Sequence, residues 1–241
     1  MTKTPNRAVI ETHAPEEVEG DTPERARWRK LNFFATPPWG TRAGAAILQQ
    51  IDPAAESVWE PACGDGIMAA VLRDIFPEVH QSDIELQQGL AQHKDAFRHD
   101  FLLDEGGPEV DWIFTNPPFA YAQEFIKTGL RRARRGVAVL CRLSFLETAG
   151  RYDLHFKGDT PLTALAPFFE RCDMQLGPWS PDAGTMTAYA WFFYQKQPHR
   201  KAQGFKPSAP TIIAIAPGTE AALSDPDDVR RFVTPTFGTL L

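Results

Sequence analysis

The chain has 241 residues, a hydrophobic fraction of 43% and a formal net charge of −6 at pH 7. Its length suits one domain with a full core, and its acidic balance excludes a protein that coats nucleic acid with its whole surface. No apolar run is long enough to span a bilayer and the start has no signal-peptide pattern, so we expect a cytoplasmic protein without membrane contact.

The first thirty residues mix Pro, Thr, Glu and Arg with little apolar periodicity, which predicts a flexible tail with a helix starting near Pro23. Helix and strand patterns alternate after that point. Helices are predicted over 41–50, 67–76, 86–93 and 120–135, and strands over 57–59, 79–84, 96–98, 110–115 and 137–142. This alternation predicts a parallel sheet with helices on both faces. Ligands of such sheets bind beyond the carboxyl ends of the strands.

The pattern changes after Phe145. Short helices are predicted over 146–156 and 162–169, and a terminal pair of strands over 171–176 and 186–195. From Pro198 onward, proline and polar residues surround one apolar run over 211–216, which could be an edge strand or a packed tail. The predicted organisation is therefore a tail over residues 1–30, a main domain over 31–197 and a C-terminal extension over 198–241.

Cysteine and histidine give no sign of a metal site. The three cysteines, Cys63, Cys141 and Cys172, are an odd number, and free thiols in a reducing compartment are expected. The six histidines are scattered and none belongs to a Cys/His cluster with zinc spacing, so no bound metal is predicted.

Four residues after the predicted fourth strand, Asn116-Pro117-Pro118-Phe119, carry the strongest functional signal. Two prolines end the strand because each lacks a backbone N–H and fixes φ. The Asn116 side-chain oxygen and the Pro117 carbonyl then form a pair of acceptors that can hold an amino group, and Phe119 offers a stacking face beside them. The alternative is an ordinary Pro-Pro turn with a capping asparagine.

A second motif, Trp59-Glu60-Pro61-Ala62-Cys63-Gly64-Asp65-Gly66, joins a predicted strand to a predicted helix. Glycines let the backbone approach a ligand closely and adopt positive φ, and the helix N-terminus offers free N–H groups. The turn lacks the third glycine of a dinucleotide fingerprint. Its acidic residues, Glu60 and Asp65, would repel a pyrophosphate and suit a ligand that carries a cationic amine.

Together these motifs resemble the class I S-adenosylmethionine-dependent methyltransferases, and among them the DNA adenine-N6 enzymes. "EPACGDG" resembles their cofactor loop and "NPPF" their catalytic loop. Weaker resemblances lie in Phe34–Trp39, Ser82–Glu85, Asp100–Phe101 and Tyr189–Tyr194, the last of them similar to phage and prophage members. The resemblance covers roughly residues 30 to 196. It implies a Rossmann-like, seven-stranded, mostly parallel sheet with helices on both faces and an antiparallel terminal strand pair.

The resemblance also implies which residues bind the cofactor, S-adenosylmethionine. Glu60 and Asp65 would face its cationic methionine end, Asp83 its ribose and Asp100 its adenine. Glu85 competes with Asp83 for the ribose, and Thr36 could bind the carboxylate or simply cap a helix. The full set assigned to the cofactor is Thr36, Pro37, Glu60, Pro61, Ala62, Cys63, Gly64, Asp65, Gly66, Asp83, Ile84, Asp100, Phe101 and Asn116.

The implied reaction is direct methyl transfer to the N6 amino group of adenine, with Asn116, Pro117, Pro118 and Phe119 as the catalytic residues. The target base would be flipped out of the duplex and stacked on Phe119. No large recognition domain is present, so a short or relaxed DNA sequence would be read by residues 147–170 and 177–185, with Arg151 and Trp179 as candidate contacts. The enzyme is expected to be a monomer or a weak dimer.

A basic run on the predicted helix over 120–135 could contact DNA phosphates, or it could be an ordinary solvated face near a helix C-terminus. Its cations are Lys127, Arg131, Arg132, Arg134 and Arg135.

Other functions stay open on the sequence alone. Guanine-N2 RNA methyltransferases and protein glutamine methyltransferases use the same acceptor pair, the latter usually with Tyr in the last position of the motif. The chain could also be a scaffold that binds the cofactor without catalysis, although both motifs are intact.

Overall fold

The structure of the protein is a computed structural model. It describes residue 18 and residues 20–86, 95–197 and 209–233. Most of the tail predicted over residues 1–30 and, beyond its first residue, the helix predicted over 86–93 lie outside the described residues. The helix that the sequence predicts from Pro23 is present as α1, Pro23–Leu31.

An eight-stranded sheet forms the centre of the molecule. Its strands are β1 (Ser57–Glu60), β2 (Glu78–Asp83), β3 (Phe97–Arg98), β4 (Trp112–Thr115), β5 (Gly136–Arg142), β6 (Ala164–Pro167), β7 (Tyr189–Gln195) and β8 (Thr211–Ile212). Their order is β3-β2-β1-β4-β5-β7-β6-β8. The first five strands in this order run parallel, β7 runs antiparallel to both β5 and β6, and β8 pairs parallel with β6. The predicted Rossmann-like fold is confirmed, with eight strands in place of seven.

The helices connect these strands. After α1 they are α2 (Pro38–Ile51), α3 (Ile67–Arg73), α4 (Ala122–Arg132), α5 (Ala149–Phe156), α6 (Thr219–Leu223) and α7 (Asp228–Phe232), with 3-10 turns over Phe119–Tyr121 and Leu143–Leu146. Two apolar clusters pack against the sheet, one holding α2 and the other α4. The described helices include none that is both long and apolar enough to cross a membrane.

Two predicted elements are wrong. Residues 162–169 are predicted as a helix but contain strand β6, because a short, fully buried apolar run has no periodicity that separates a strand from a helix. Leu162, Thr163 and Ala164 are all completely buried. Residues 171–176 do not form the predicted strand, and the antiparallel partners of β7 are β5 and β6. The run over 211–216 supplies the edge strand β8, which is one of its two predicted alternatives.

The fold brings the two sequence motifs to one edge of the sheet. Strands β1 and β4 are parallel neighbours, so the loop after Glu60 and the turn at Asn116 both leave the sheet at its carboxyl edge. Because β7 is antiparallel to β5, its first residue, Tyr189, pairs with Arg142 at the same edge.

Candidate active site

A cavity of about 1030 Å³ opens at the carboxyl edge of the parallel strands. It is lined by residues from the loops after β1, β2, β3 and β4 and by the segment between α1 and α2. Twelve of the residues predicted to bind the cofactor line it: Thr36, Glu60, Pro61, Ala62, Cys63, Gly64, Asp65, Asp83, Ile84, Asp100, Phe101 and Asn116. Pro118 of the predicted catalytic turn lines it as well. Pro37, Gly66, Pro117 and Phe119 do not.

Two buried carboxyl groups lie at the floor of this cavity. Glu60 is 2% exposed and Asp65 is 5% exposed. Burial raises the pKa of Asp65 to about 7, and burial, with the negative charges of Asp65 and Asp83, raises the pKa of Glu60 well above its usual value. Among the described residues, Glu60 Oε2 and Asp65 Oδ2 have no hydrogen-bond partner. A buried acceptor without a partner is costly, and a bound cation or ammonium group would satisfy both.

The glycine loop after β1 holds its shape through positive φ angles. Gly64 has φ +52° and Gly66 has φ +77°, and Gly66 is the N-cap of α3. A Cβ built on Gly64 would lie 2.6 Å from Cε2 of Phe33. The loop therefore needs glycine at position 64 both for its backbone and for the ring that packs on it.

The acidic end of β2 closes one side of the cavity. The Asp83 carboxylate accepts hydrogen bonds from the backbone N–H of Gly64 at 2.9 Å and of Glu85 at 3.1 Å. Its burial raises its pKa. Glu85 is exposed and pairs with Arg27 of α1 at 2.5 Å. Asp83 is thus fixed by the backbone of the glycine loop, whereas Glu85, its predicted competitor, is engaged in an ion pair across the cavity mouth.

A turn after β3 forms the far wall of the cavity. Asp100 Oδ1 accepts hydrogen bonds from the N–H groups of Leu102 and Leu103 at 3.0 and 3.1 Å. Phe101 is 2% exposed, and its ring meets those of Trp59 and Phe125 with centroids 5.1 Å away. Phe101 is therefore both a core residue and part of the wall.

The Asn116 amide is held in one orientation. Its Nδ2 donates to the Phe34 carbonyl at 2.8 Å and to the Thr36 hydroxyl at 3.0 Å. A flipped amide would set its oxygen against the Phe34 carbonyl, which can only accept. Within the described parts of the chain, neither Asn116 Oδ1 nor the Pro117 carbonyl accepts a hydrogen bond. Both acceptors of the predicted pair are thus available to an amino group.

Comparison with solved structures places the fold among known proteins. A candidate RNA methyltransferase from Pyrococcus horikoshii aligns with a TM-score of 0.54 and 13% identity, over 78% of this chain and 95% of its own. Protein 1320 of Thermoplasma acidophilum aligns with a TM-score of 0.48 and 16% identity, over 66% and 86% of the two chains. No known family profile and no curated protein matches the sequence. At these identities the likeness to the Pyrococcus protein establishes the fold alone.

Phe119 lies beside the cavity and not in its lining. Its ring centroid is 5.7 Å from that of Phe34 and 5.9 Å from that of Tyr189. The Arg142 guanidinium lies over the ring, 4.9 Å from its centroid. One face of the predicted stacking ring is therefore covered by a planar cation in this structure.

The residues suggested for DNA recognition have structural partners. Arg151 lies over the Phe145 ring at 4.4 Å, and Trp179 packs against a small cluster formed by Ile67, Val71 and Phe232. Both side chains therefore have packing partners within the protein.

Two cations of the basic run lie at the edge of the sheet opposite the cavity, and a third contacts the cavity wall. Helix α4 starts just after the turn at Asn116 and ends before β5, so its last turn reaches the opposite edge of the sheet. There Arg134 pairs with Asp111, and Arg135 pairs with Asp52. Arg132 lies over the Phe101 ring and bonds to His99. Arg132, Arg134 and Arg135 thus have partners within the fold, while Lys127, Arg131 and Arg134 are exposed residues.

The sequence did not single out several residues of the cavity wall. They are Arg27, Lys30, Asn32, Phe33, Met68, His99, Ala120 and Phe125. The strongest local signal for any of them is the aromatic pair Phe33-Phe34, because two large apolar side chains outside the predicted helices and strands require partners.

Proposed function

We propose that the protein transfers a methyl group from S-adenosylmethionine to the N6 amino group of adenine in DNA. The observation that carries the proposal is the Asn116 amide: its nitrogen is anchored at 2.8 and 3.0 Å, and its oxygen faces no described donor. This oxygen and the Pro117 carbonyl suit an exocyclic amine. They stand at the rim of a cavity whose buried acids suit a cationic cofactor.

The residues present fit S-adenosylmethionine. Glu60 and Asp65 would hold the ammonium group of its methionine end, since each has a buried oxygen that lacks a described partner. Asp83 would accept from the ribose hydroxyls and Asp100 from the adenine amino group. When bound, this cofactor supplies an electrophilic methyl group on a sulfonium sulfur. The cavity, at about 1030 Å³, lies at the upper end of the usual range for small-molecule sites.

The role of the chain in the reaction would be positioning and electrostatics. The amino nitrogen of adenine is a weak nucleophile because its lone pair is delocalised into the ring. Hydrogen bonds from its two hydrogens to Asn116 Oδ1 and the Pro117 carbonyl would favour tetrahedral geometry and localise the lone pair. Preorganised dipoles of this kind are a large part of many enzymatic rate enhancements. No covalent intermediate is needed, and the pKa values of the buried Cys63, Cys141 and Cys172 thiols are all raised, which disfavours a thiolate nucleophile.

The DNA substrate is the part of the proposal that rests on sequence resemblance, namely Phe119 in the last position of the turn and the aromatic strand β7. The acceptor pair itself would serve a guanine amino group in RNA or a glutamine amide in protein equally well. The test therefore also includes RNA and protein as substrates.

The test is a methyl-transfer assay with tritiated cofactor, in which unmethylated DNA, RNA and a protein extract are offered separately. We expect label in DNA and N6-methyladenine in its nucleoside digest. Asn116→Ala is expected to lose at least about a hundredfold in turnover, the scale for removal of one preorganised polar group, while its cofactor affinity by calorimetry stays close to wild type. Label in RNA or protein alone would reject the DNA substrate, and no cofactor binding at all would reject the proposal.

A further inference from the structure

The segment between α1 and α2 contacts both ends of the catalytic turn. This segment, Asn32–Thr36, is called the strap below. At the first residue of the turn, Asn116 Nδ2 donates to the strap through the Phe34 carbonyl and the Thr36 hydroxyl. At the last residue, the backbone N–H of Phe119 donates to Asn32 Oδ1 at 3.0 Å. The bonded residues of the strap lie 80 to 87 positions away along the chain and are absent from the predicted catalytic residues.

The turn needs this outside support because of its own composition. Pro117 and Pro118 have no backbone N–H, so the N–H of Phe119 is the first backbone donor after Asn116. Asn32 accepts from it. The prolines fix φ inside the turn, and hydrogen bonds to the strap hold its two ends.

The backbone conformation of Asn32 favours this contact. It is the C-cap of α1 with φ 53° and ψ 41°, and its backbone N–H bonds to the carbonyls of Arg29 and Trp28. The left-handed conformation is one that asparagine tolerates better than most residues. It ends the helix and leaves the side chain directed at the turn.

Thr36 is fixed as well. It is 4% exposed, and Pro37, not Thr36, is the N-cap of α2. Thr36 therefore does not occupy the N-cap position that the sequence allowed for it, and α2 has no side-chain cap. The Thr36 hydroxyl accepts from Asn116, which leaves its own hydrogen to donate.

We propose that Asn32 and Thr36 are positioning residues that fix the catalytic turn from both ends, so that the Asn116 amide oxygen stays directed at the amino group of the substrate. The contacts of Asn32 and Thr36 with the catalytic turn are called the clamp. The identity of the substrate rests on the proposed function, but the clamp does not. Thr36 thereby acts on the catalytic asparagine instead of acting mainly as a ligand of the cofactor carboxylate.

Two matched pairs of variants test the clamp. Thr36→Val removes the hydroxyl and Thr36→Ser keeps it. Asn32→Gly keeps the positive φ and removes the acceptor, and Asn32→Asp keeps both an acceptor and a tolerated φ. We expect Thr36→Val and Asn32→Gly to lower kcat about tenfold, the change for one net hydrogen bond, with cofactor affinity within about twofold of wild type. Thr36→Ser and Asn32→Asp are expected to retain most of the activity.

A loss of cofactor affinity or of stability without a loss of kcat would overturn the proposal. If Thr36→Val weakens cofactor binding in calorimetry and leaves kcat at saturating cofactor unchanged, Thr36 is a cofactor ligand. If Asn32→Gly leaves kcat unchanged, Asn32 is merely a helix cap, a role that glycine keeps.

An NMR measurement tests the clamp without any turnover. The side-chain NH2 of Asn116, identified by its loss in Asn116→Ala, is expected to exchange with water far more slowly than that of the exposed Gln50. Thr36→Val is expected to speed its exchange, whereas Thr36→Ser is not. Equal exchange of Asn116 and Gln50 in the wild type would overturn the clamp. A slow Asn116 signal in a protein that methylates none of the three substrates would instead leave the clamp standing and reject the proposed function.

Discussion

The ring of Phe33 lies directly on Gly64, so close that a Cβ at position 64 would come within 2.6 Å of Cε2 of the ring. The contact joins the strap to the glycine loop after β1. The same strap holds the turn at Asn116. The two loops that the sequence motifs predict as cofactor and catalytic loops are thus connected through a segment that neither motif includes.

Gly64→Ala is expected to abolish cofactor binding. The substitution combines a positive φ of 52° with a steric clash against Phe33, so the loop must move away from its present path. Calorimetry is expected to show at least a tenfold loss of affinity. Adding Phe33→Ala to this variant is expected to recover part of the loss, because it removes the clash but not the backbone strain.

Gly106→Ala is the matched control for this prediction. Gly106 has φ +82° and open space around its Cβ position, so the variant carries the backbone strain of about 1–2 kcal/mol without a clash. It is expected to melt at a lower temperature and to bind cofactor normally. Equal affinities of the two variants would show that the Phe33 contact is irrelevant to binding.

Asp65 makes the ligand-free protein less stable as pH rises. Its pKa in the folded protein is about 7, against a usual value of 3.8. Below about pH 4 both folded and unfolded states are protonated; between pH 4 and 7 the unfolded state loses a proton that the folded state keeps. The free energy of unfolding therefore falls through this window, by about 1.4 kcal/mol for each unit of pKa shift, and is level above it.

The measurement is the free energy of unfolding of wild type and Asp65→Asn at pH 4 and pH 8, without ligand. The variant is expected to match the wild type at pH 4 and to exceed it by a few kcal/mol at pH 8. Glu60 and Asp83, the neighbouring acids, remain in both proteins, so the difference reports the Asp65 carboxylate together with its repulsion of Glu60. A variant less stable than wild type at pH 8 would mean that the carboxylate has a partner in solution.

His155 is expected to produce the opposite dependence on pH. It is completely buried, its Nδ1 lies 2.8 Å from the Tyr194 hydroxyl and its Nε2 lies 3.2 Å from the Phe145 carbonyl. Because that carbonyl only accepts, Nε2 carries the hydrogen and Nδ1 accepts from Tyr194. Burial lowers the pKa of His155 below its usual 6.5.

Stability from His155 is complete above the unfolded pKa and is lost as pH falls below about 6.5, where the unfolded state gains a proton that the folded state resists. In thermal unfolding, the stability of wild type is expected to fall relative to that of His155→Gln as pH drops below about 6.5, because the opposite contribution of Asp65 is common to both proteins. His80→Gln, at a partly exposed histidine, should leave the loss unchanged. A pH dependence in His155→Gln equal to that of wild type would assign the loss to other groups.

The sequence predicts the centre of this fold well because its signals there are local. Strand β4 ends where two prolines stop it, and α3 begins at Gly66 with positive φ. Strand β6 was missed for a physical reason: its residues are buried on both faces, so their pattern does not alternate, and only the pairing with β7 reveals a strand.

In the candidate site, too, features with a local sequence signal can be predicted and contacts between distant segments cannot. The glycine loop and the Asn-Pro-Pro-Phe turn can be found because their residues are contiguous. The bonds from Asn116 to Phe34 and Thr36 join residues about eighty positions apart, and no pattern within either segment encodes them. In the basic run, the partners of Arg134 and Arg135 are Asp111 and Asp52, which come from other segments, so the run itself does not reveal these ion pairs.

Arg142 is an exposed cation at the carboxyl edge of the parallel strands, where a nucleic acid would meet the proposed catalytic turn. It ends β5 opposite Tyr189, and its guanidinium covers the Phe119 ring at 4.9 Å. A base that stacks on this face must displace the guanidinium, which is then free to contact a phosphate. Arg142→Ala is therefore expected to weaken DNA binding and to reduce the slope of log affinity against log salt by about one.

Arg131→Ala is the control for this prediction, because Arg131 is equally exposed but lies on the last turn of α4, where it bonds to Thr128. Its salt slope is expected to equal that of wild type. Phe119→Ala is expected to weaken binding about 5- to 150-fold, the range for loss of one stacked base, with no change of slope because no charge is removed. If Arg131→Ala and Arg142→Ala change the slope equally, DNA must approach over α4, and the catalytic edge is not the surface that the nucleic acid contacts.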